Sequence, residues 1–452
     1  MIILGTNSIK AAGGFNVANS LRFNSGSSDY LSRSNGTPTS LRKYTFSAWV
    51  KKTSTAGALH TLYSNGTNGD NYMYIHYRND TEQLEYVDIK SGEYQVNLRT
   101  NRVFRDPSAW YHVMIAVDTT QGTNTNRVKI YINGVQETSF HTATYPDQND
   151  DLILNGSNTN IGRYTIETDR YFDGYMSEVV FVDGTQQANT DLGEFDEDSG
   201  IWKPIDVSGL TFGDNGYYLD FEDSSALGND KAGSNNFTVN NLTSLDQSTD
   251  TCTNNFAVLN SIDKGYGTVT YVEGNLKATS SSGWNPSRGT IAVTKGKWYW
   301  ETMSGNSFQI GVCSDTIDFA NNANAQDLTG VTVYYNAGGG YIRTDGSQVG
   351  STSGTFSASD VAGFALDMDN KKLSVYKNGS IIVTNTSLST SITNVAMIFG
   401  TTNGGGNFRI NFGSPFEAIS SGNSDGNGYG NFEYAVPSGY FCLNTKNLAE
   451  YG

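Results

Sequence analysis

The amino-acid sequence predicts an all-β protein with two antiparallel jelly-roll or β-sandwich domains. Its dominant local pattern is a short run of alternating, β-branched and aromatic residues closed by Gly, Asn, Asp or Ser, as in 44–50 and 110–117. Leu, Ala, Glu and Lys never accumulate at helical spacing over a long window. Many short strands joined by polar turns, without intervening helices, favour antiparallel sandwiches over a parallel α/β sheet.

Two Asn-Gly pairs predict tight hairpins, one in each half of the chain. Asn133-Gly134 and Asn378-Gly379 each lie between two alternating runs. Asn-Gly suits both left-handed positions of a type I′ turn, whose twist matches that of the flanking strands. We therefore expect two separate sandwiches, each with its own late hairpin.

The domain boundaries follow from these runs and from the composition between them. The segment after the first sandwich is too aromatic for a disordered linker, so we expect it to pack against a sandwich. The tail begins with a turn-rich passage and ends with enough apolar side chains to dock, and the N-terminal segment is predicted to anchor the subunit to a neighbour. The predicted divisions are 1–14 (N-terminal anchor), 15–200 (first sandwich), 201–261 (connecting aromatic segment), 262–415 (second sandwich) and 416–452 (docking tail).

Composition excludes several classes of partner. The 452 residues include 45 Asp or Glu and 29 Lys or Arg, a formal charge of −16. Such a chain repels phosphate backbones, so no nucleic acid is expected as a partner. No apolar run reaches the roughly 18 residues that span a bilayer, so no membrane insertion is expected. The segment Met1–Lys10 has its apolar residues first and its charge last, the reverse of a secretory signal. We expect synthesis in a host cytoplasm and release by lysis.

Several motifs follow one another in the first predicted sandwich. They are Ser20-Leu-Arg-Phe with Ser28-Asp-Tyr30-Leu, Phe46-Ser-Ala-Trp49-Val-Lys51, Trp110-Tyr-His-Val113, the Asn133-Gly134 hairpin, Ile161-Gly-Arg163 and Phe172-Asp-Gly174-Tyr-Met-Ser-Glu178. Their order resembles that of laminin-G-like, concanavalin-A-type domains. The resemblance implies a jelly-roll sandwich often used to bind sugars or protein surfaces. As core and turn residues, Trp49 and Trp110 are predicted to point inward on their strands.

The second predicted sandwich carries a different series of motifs. They are Gly296-Lys-Trp298-Tyr-Trp300-Glu301, Phe308–Val312, Asp360–Asp367, Leu373–Gly379 and Asn411-Phe-Gly413. This order resembles a SPRY domain, which implies a protein-recognition sandwich with specificity in the loops at one end. The sequence departs from that pattern in the Asn/Ala-rich loop 319–328, which precedes 331–335 with no tryptophan there.

The combination of segments is similar to structural and fibre proteins of marine tailed bacteriophages. It comprises the opening Ser28–Arg33 motif, the segment Gly216–Phe221, the SPRY-like unit and the closing segment 437–448. The resemblance implies a virion location, with other virion proteins as partners. A homo-oligomer, with a trimer as one candidate, is expected from the general preference for closed symmetry.

The sequence predicts that the protein is not an enzyme. Glucanases of this fold carry Glu-x-Asp-x-x-Glu on one strand, and the nearest match, Glu194-Phe-Asp196-Glu-Asp-Ser199, ends in Ser between two turn glycines. None of the four histidines belongs to an H-E-x-x-H pair, and His112 is interpreted as a packed residue. No G-x-S-x-G elbow or P-loop is present. We assign no catalytic residue.

Calcium is the one cofactor for which the sequence offers candidate ligands. The jelly-roll family sometimes binds this cation with rim Asp and Asn oxygens, which hard cations prefer. The loop candidates are Asp70, Asn71, Asp150 and Asp151, whereas Asp367–Asn370 is predicted to form the turn before Leu373. Without paired ligand spacing we assign no metal site and expect no cofactor, with calcium left open.

Two functions remain open. In the first, the protein is a tail-fibre or receptor-binding component whose sandwich loops recognise a host surface glycan or protein, with Tyr stacking faces and Asn hydrogen bonds. In the second, it is a capsid decoration or head-fibre structural protein that binds other virion proteins. The candidate ligand-binding residues are Asn65, Asn68, Asp70, Asn71 and Tyr72 in the first sandwich and Tyr341 in the second.

Overall fold

The computed structural model describes residues 14–452 except 55–58, 154–157, 168, 266, 281–282, 304–307, 320–323, 337–338 and 403–405. Nearly every regular element in these residues is a strand, which confirms the predicted all-β class. The described chain divides into two compact units, 14–253 and 254–452. The predicted anchor 1–14 lies outside the described residues, Gly14 excepted.

The first unit contains two long sheets. One, which we call the covered sheet, has the order β10-β9-β8-β3-β13-β1-β18, with β16 also paired to β13; the other, the open sheet, has the order β11-β7-β6-β5-β4-β12-β2-β17. Every strand pairing in both is antiparallel. The strands are β1 Ser20–Phe23, β2 Tyr30–Ser34, β3 Lys43–Lys52, β4 His60–Asn68, β5 Asn71–Tyr77, β6 Gln83–Lys90, β7 Glu93–Val103, β8 Trp110–Asp118, β9 Val128–Ile132, β10 Val135–Gln136, β11 Phe140–Thr144, β12 Asn158–Ile161, β13 Gly174–Asp183, β14 Glu194–Phe195, β15 Trp202–Lys203, β16 Tyr217–Leu219, β17 Thr238–Asn240 and β18 Gln247–Ser248.

Short helices and one further strand pair complete this unit. They are α1 at Asn124–Arg127, 3-10 turns at Asn189–Asp191 and Ser244–Asp246, and the separate pair β14-β15. The predicted first hairpin joins β9 to β10, with φ of 49° at Asn133 and 75° at Gly134. Both values are left-handed, as a type I′ turn requires, so this prediction is confirmed.

Alternating side chains build the core between the two sheets. On β3, Tyr44, Phe46, Ala48 and Val50 are fully buried in this core. Because successive strand residues point to opposite faces, the intervening residues of β3 lie on the far face of the covered sheet.

A second apolar layer covers that far face. It is formed by Met114, Ala116, Val180 and Val182 of the sheet together with Leu192, Val207 and Tyr218 from the chain after β13. Trp49 and Trp110 lie on this face, since they alternate with core residues of β3 and β8. The prediction that they point into the sandwich is wrong. Alternation could not identify the inner face, because later residues bury both faces.

The predicted connecting segment 201–261 is divided between the units after Thr253. Its larger part adds β16 and β18 to the covered sheet and β17 to the open sheet. A buried ion pair attaches its end: Lys51 Nζ lies 2.7 Å from Asp250 Oδ2, and the two side chains are 0% and 2% exposed. The indole N–H of Trp110 donates to the other oxygen of Asp250 at 3.1 Å. This segment is therefore part of the first unit.

Glu178 lies in a β-bulge of β13, where the register with β3 shifts. Its φ of 50° is left-handed, which is costly for a residue with a side chain. The Tyr218 hydroxyl donates to Glu178 Oε2 at 2.5 Å. Burial raises the pKa of Glu178 to about 8, and the charges of Asp220 and Glu222 act in the same direction.

The second unit also contains two long sheets. Their orders are β19-β22-β31-β24-β25-β26-β27 and β20-β21-β32-β23-β28-β29-β30. Two buried tryptophans of β23, Trp298 and Trp300, lie in the core between them. The strands are β19 Leu259–Lys264, β20 Val269–Val272, β21 Lys277–Ser280, β22 Ser287–Val293, β23 Lys297–Thr302, β24 Phe308–Ser314, β25 Val331–Tyr335, β26 Tyr341–Thr344, β27 Ser347–Val349, β28 Ala362–Asp367, β29 Lys372–Lys377, β30 Ser380–Ser387, β31 Ala396–Thr402, β32 Asn407–Asn411 and β33 Phe441–Cys442, with a 3-10 turn at Ala325–Asp327 and α2 at Thr445–Tyr451.

Both turns predicted in this unit are present. Asn378-Gly379 joins β29 to β30 with φ of 48° and 77°. Asp367 accepts hydrogen bonds from the backbone and the side chain of Asn370, each at 2.9 Å, which closes the turn before Leu373. Among the described residues, no helix is long and apolar enough to cross a membrane.

A buried carboxylate holds the C-terminal tail to the second unit. Glu301, at the end of the Gly296–Glu301 motif, accepts the backbone N–H groups of Glu433 and Tyr434 at 2.9 Å and the Tyr299 hydroxyl at 3.0 Å. Farther along, β33 pairs in parallel with β23. The tail therefore docks through directional hydrogen bonds and a strand pairing.

Replacing Asp250 by alanine should destabilise the first unit by about 3–5 kcal/mol, because it leaves the Lys51 ammonium buried without its carboxylate. Urea unfolding followed by tryptophan fluorescence measures this. The control is Asp151→Ala: its pair with Arg42 joins side chains that are 43% and 44% exposed, so its loss should cost less than about 1 kcal/mol. Equal losses in the two variants would contradict a special role for the buried pair.

Glu178 should make the first unit less stable as pH rises. The carboxyl is neutral in the folded state up to a pKa of about 8, against an ordinary value of 4.5. Between those values the unfolded chain releases this proton and the folded one does not, so stability is lost across that window and is constant above it. Glu178→Gln keeps the acceptor for Tyr218 and should reduce the loss by on the order of 1–3 kcal/mol. Thermal unfolding of both proteins at several pH values measures the difference, and parallel profiles would refute it.

Candidate functional site

The predicted ligand-binding residues of the first sandwich lie on one hairpin, β4–β5. Sequence reasoning took 65–72 as a loop, but β4 continues to Asn68 and only two residues remain at the turn. Asn65 is fully buried, and its amide donates to Thr159 Oγ1 at 3.0 Å. Asn65 therefore stabilises the sheet interior and offers no surface to a ligand.

The hairpin tip presents the polar candidates. Asn68 and Asp70 are exposed, and Asn71 is partly exposed. Asn68 Oδ1 accepts the Asp70 backbone N–H at 3.0 Å and the Asn71 amide at 3.1 Å. The neighbouring β6–β7 hairpin is tied to this tip, because the Gly92 N–H donates to the Asp70 carbonyl at 2.9 Å. The tip is thus ordered by its own hydrogen bonds.

Next to the tip, tyrosines lie on the outer face of the open sheet. On β5, Met73 and Ile75 point into the core, so Tyr72 and Tyr74 point outward. Their rings are stacked, with centroids 6.2 Å apart and planes 16° apart. Tyr94, which pairs with Ile89 across a β-bulge of β7, is 55% exposed. We call Tyr72, Tyr74 and Tyr94 the tyrosine surface.

The chain between β12 and β13 folds over this face and supports the rings. Tyr164 makes edge-to-face contacts with Tyr72 at 5.8 Å and Tyr74 at 5.7 Å. The Thr165 hydroxyl is 2.7 Å from that of Ser64 on β4. Arg170 lies over the Tyr164 ring at 4.7 Å and pairs with Glu167 at 2.6 Å. Contacts from a distant segment therefore fix the ring orientations.

The titration of these groups favours hydrogen bonding over acid–base chemistry. Burial raises the pKa of Tyr72, Tyr74 and Tyr164, so their hydroxyls stay protonated at neutral pH and both donate and accept. His76, next on the same face, bonds to Glu85 at 2.9 Å, and its burial lowers its pKa despite that carboxylate. The surface is aromatic and polar, without a titrating nucleophile.

A second outward cluster lies on the same sheet face. Tyr30 of β2 points away from the core, since Leu31 points into it. The Arg163 guanidinium lies over the Tyr30 ring at 4.6 Å and over the Tyr171 ring at 5.9 Å. Arg163 and Tyr171 are also bridged through their backbones.

Sequence reasoning named Tyr72 but missed Tyr74, Tyr94, Tyr164, Arg163 and their partners. The period-two pattern Tyr72-x-Tyr74-x-His76 is a local signal that could have identified Tyr74. No local signal exists for the residues of the chain between β12 and β13, because their position over the sheet is a tertiary contact.

Tyr341, the candidate of the second sandwich, lies at the start of β26 in the second unit. It pairs with Tyr335 across β25 and β26, and the two rings meet edge to face at 5.7 Å. Trp284 contacts Tyr335 at 5.8 Å. All three side chains are partly exposed.

Two of the calcium candidates, Asp150 and Asp151, are engaged in other bonds. Asp151 pairs with Arg42 at 2.6 Å, and Asp150 accepts the Asp147 N–H at 2.8 Å. Within the described residues, no group of three or more His, Cys, Asp or Glu side chains could hold a metal ion.

The glucanase-like acidic motif lies on an exposed hairpin. Glu194 and Asp196 both pair with Lys203 at 3.2 Å. Asp196 also accepts the Ser199 hydroxyl at 2.8 Å. Elsewhere, buried His112 accepts the Trp202 indole N–H at 3.0 Å on Nδ1 and bonds to Ser47 at 2.7 Å. Burial lowers its pKa to about 3, so His112 is neutral and enclosed.

Comparison with known proteins supports a lectin-type sandwich in the first unit. Residues 25–189 match the model of the Concanavalin A-like lectin/glucanases superfamily, which covers less than half of the chain. The comparison with curated proteins finds no match.

Solved structures similar to this chain are of two kinds. The SPRY domain of human HERC1 is 17% identical, with a TM-score of 0.29, over 34% of this chain and 96% of that one. The TRIM65 PSpry domain is 11% identical, with a TM-score of 0.29, over 34% and 91%. A candidate carbohydrate-binding protein from Bacteroides ovatus ATCC 8483 is 21% identical, with a TM-score of 0.37, over 50% of this chain and 59% of that one. These TM-scores are too low to carry a functional argument.

Proposed function

We propose that the protein is a non-enzymatic receptor-binding component, of the tail-fibre type, that recognises a host surface glycan through the open sheet of its first unit. The observation that carries this proposal is the tyrosine surface beside the polar tip at Asn68, Asp70 and Asn71. Partly exposed ring faces next to amide and carboxylate oxygens are the combination that sugars require.

Each part of this surface matches one property of a sugar ring. The apolar C–H face of a pyranose packs against an aromatic ring, and its hydroxyls need donors and acceptors at the edge. The rings lie on a paired sheet and on a loop that bonds to it through Thr165, so little ordering is needed on binding. Because the chain already fixes this geometry, a glycan would meet a preorganised site.

The absence of catalysis is part of the proposal. Lys203 neutralises Glu194 and Asp196, and Ser199 occupies the position where the glucanase pattern has its general acid. We also propose that binding needs no cofactor, because Asn68 Oδ1 closes the tip by accepting the Asp70 N–H and the Asn71 amide. Chelation of calcium should then leave glycan binding unchanged.

The virion location rests on the resemblance of the sequence to phage fibre proteins. In this setting the protein is made in the host cytoplasm and released by lysis, and it assembles with other virion proteins as a homo-oligomer. The alternative, a capsid decoration or head-fibre protein, would use the sandwiches to bind virion proteins only.

Glycan binding should depend on the tyrosine surface. On a glycan array, the purified full-length protein is expected to bind a defined subset of sugars. Tyr72→Ala and Tyr74→Ala should each lower the affinity for that subset roughly 3- to 10-fold, the value of one aromatic contact. Titration calorimetry with the best array ligand measures the change.

Phe195→Ala is the matched control, because it removes an exposed aromatic ring from the β14–β15 hairpin of the same unit and should leave glycan affinity unchanged. Binding to host cells should follow the array result. A protein that ignores glycans and cells but attaches to empty capsids would overturn the proposal in favour of the structural alternative.

A further inference from the structure

Arg163 has a guanidinium with no acidic partner in the described part of the chain. Among the described residues no ion pair joins it to a carboxylate, and its Nε is buried without a hydrogen-bond partner. The nearby Arg170 differs, because Glu167 and Asp169 neutralise it. An arginine with its donors unused at a partly exposed position is available to a ligand.

The position of Arg163 is fixed although its donors are free. Its guanidinium lies over the Tyr30 ring at 4.6 Å, with Tyr171 at 5.9 Å on another side. The quadrupole of an aromatic ring attracts a cation that lies over its face, which keeps the guanidinium at this position. Nε is buried in this frame, whereas Nη1 and Nη2 are not, so these two terminal nitrogens are the donors that a planar carboxylate or a sulfate can engage through two parallel hydrogen bonds.

Polar side chains lie on the same face of the open sheet as Tyr30. Ser32 of β2 alternates with core residue Leu31, and its hydroxyl accepts the Asn240 amide of β17 at 3.0 Å. On β12, the side-chain amide of Asn160 donates a hydrogen bond to Thr165 Oγ1 at 3.1 Å. These groups can bond to the hydroxyls of a saccharide whose charged substituent occupies the fork.

We propose that the glycan bound by the first unit is acidic, and that Arg163 binds its carboxylate or sulfate group in the frame of Tyr30 and Tyr171. This inference rests on the proposed glycan-binding function and specifies its ligand class. The formal charge of −16 disfavours dense polyanions.

The test uses the full-length protein and three hexasaccharides: one alternating glucuronate and N-acetylglucosamine, its carboxyl-reduced neutral form, and a neutral hexasaccharide with a single sulfate. Titration calorimetry should show at least about tenfold tighter binding of one or both acidic forms than of the neutral form. Whichever acidic form is preferred identifies the acidic group. Arg163→Gln should abolish the preference and leave neutral binding in place.

Two further variants complete the test. Arg163→Lys retains the charge without the planar fork, so it should keep only part of the preference for acidic over neutral saccharides. If Arg163→Gln does not fold, this partial loss in Arg163→Lys is the result that tests the inference. Arg105→Gln removes one exposed charge from the same unit and should leave the affinities for the acidic and neutral saccharides unchanged.

The outcomes separate this inference from the proposed function. Equal binding of acidic and neutral forms, or a preference that survives Arg163→Gln, would overturn the inference while glycan binding stands. Binding of an acidic peptide in place of every saccharide would overturn both, as would no saccharide binding at all.

Discussion

The covered sheet has apolar side chains on both faces, and the chain after β13 must return over it to remove the second face from water. Each Val, Leu or Met buried in this way contributes about 1.5–3 kcal/mol. The layer around Val180, Leu192 and Val207 is therefore a large part of the stability of the first unit. The buried pair of Lys51 and Asp250 fixes where this returning chain ends.

This arrangement leaves the outer face of the open sheet available for the proposed recognition. A glycan-binding face needs exposed aromatic rings, and the covered sheet has its rings, such as Trp49, beneath the second layer. On the open sheet, Tyr164 of the chain between β12 and β13 contacts Tyr72 and Tyr74, which stay partly exposed. Strand pairing holds the rings in place, and their alternation on β5 directs them outward.

The parts of the fold that depend on neighbouring residues could be predicted from the sequence. The Asn133-Gly134 and Asn378-Gly379 turns depend on the φ preferences of two adjacent residues, and the strands depend on alternation, so both could be read from the sequence. The faces of Trp49 and Trp110 could not, because the segment that covers them lies far along the chain.

The candidate site also has residues that the local sequence identifies and residues that it does not. Tyr72 was found because the tip beside it is rich in Asn and Gly, whereas Asn65 was misplaced because pairing with β12 extends β4 beyond the local turn signal. Arg163 has no local signature at all. Its guanidinium lies over Tyr30, a residue more than a hundred positions earlier in the chain, so the pairing is a tertiary contact.

Buried carboxylates explain how an acidic, Gly-rich and Asn-rich chain orders segments with little regular structure. Asp183 accepts the backbone N–H groups of Thr39, Ser40 and Asn215 at 2.7–3.1 Å, and Glu301 does the same for the tail. Such bonds are directional, so they fix a register that apolar contact alone would not. They also satisfy the buried carboxyl oxygens with N–H donors. The surface potential near Arg163 is accordingly set by its immediate neighbours, because charges beyond about 8–10 Å are screened at physiological salt. A formal count of acidic residues therefore does not prevent an acidic saccharide from reaching that arginine.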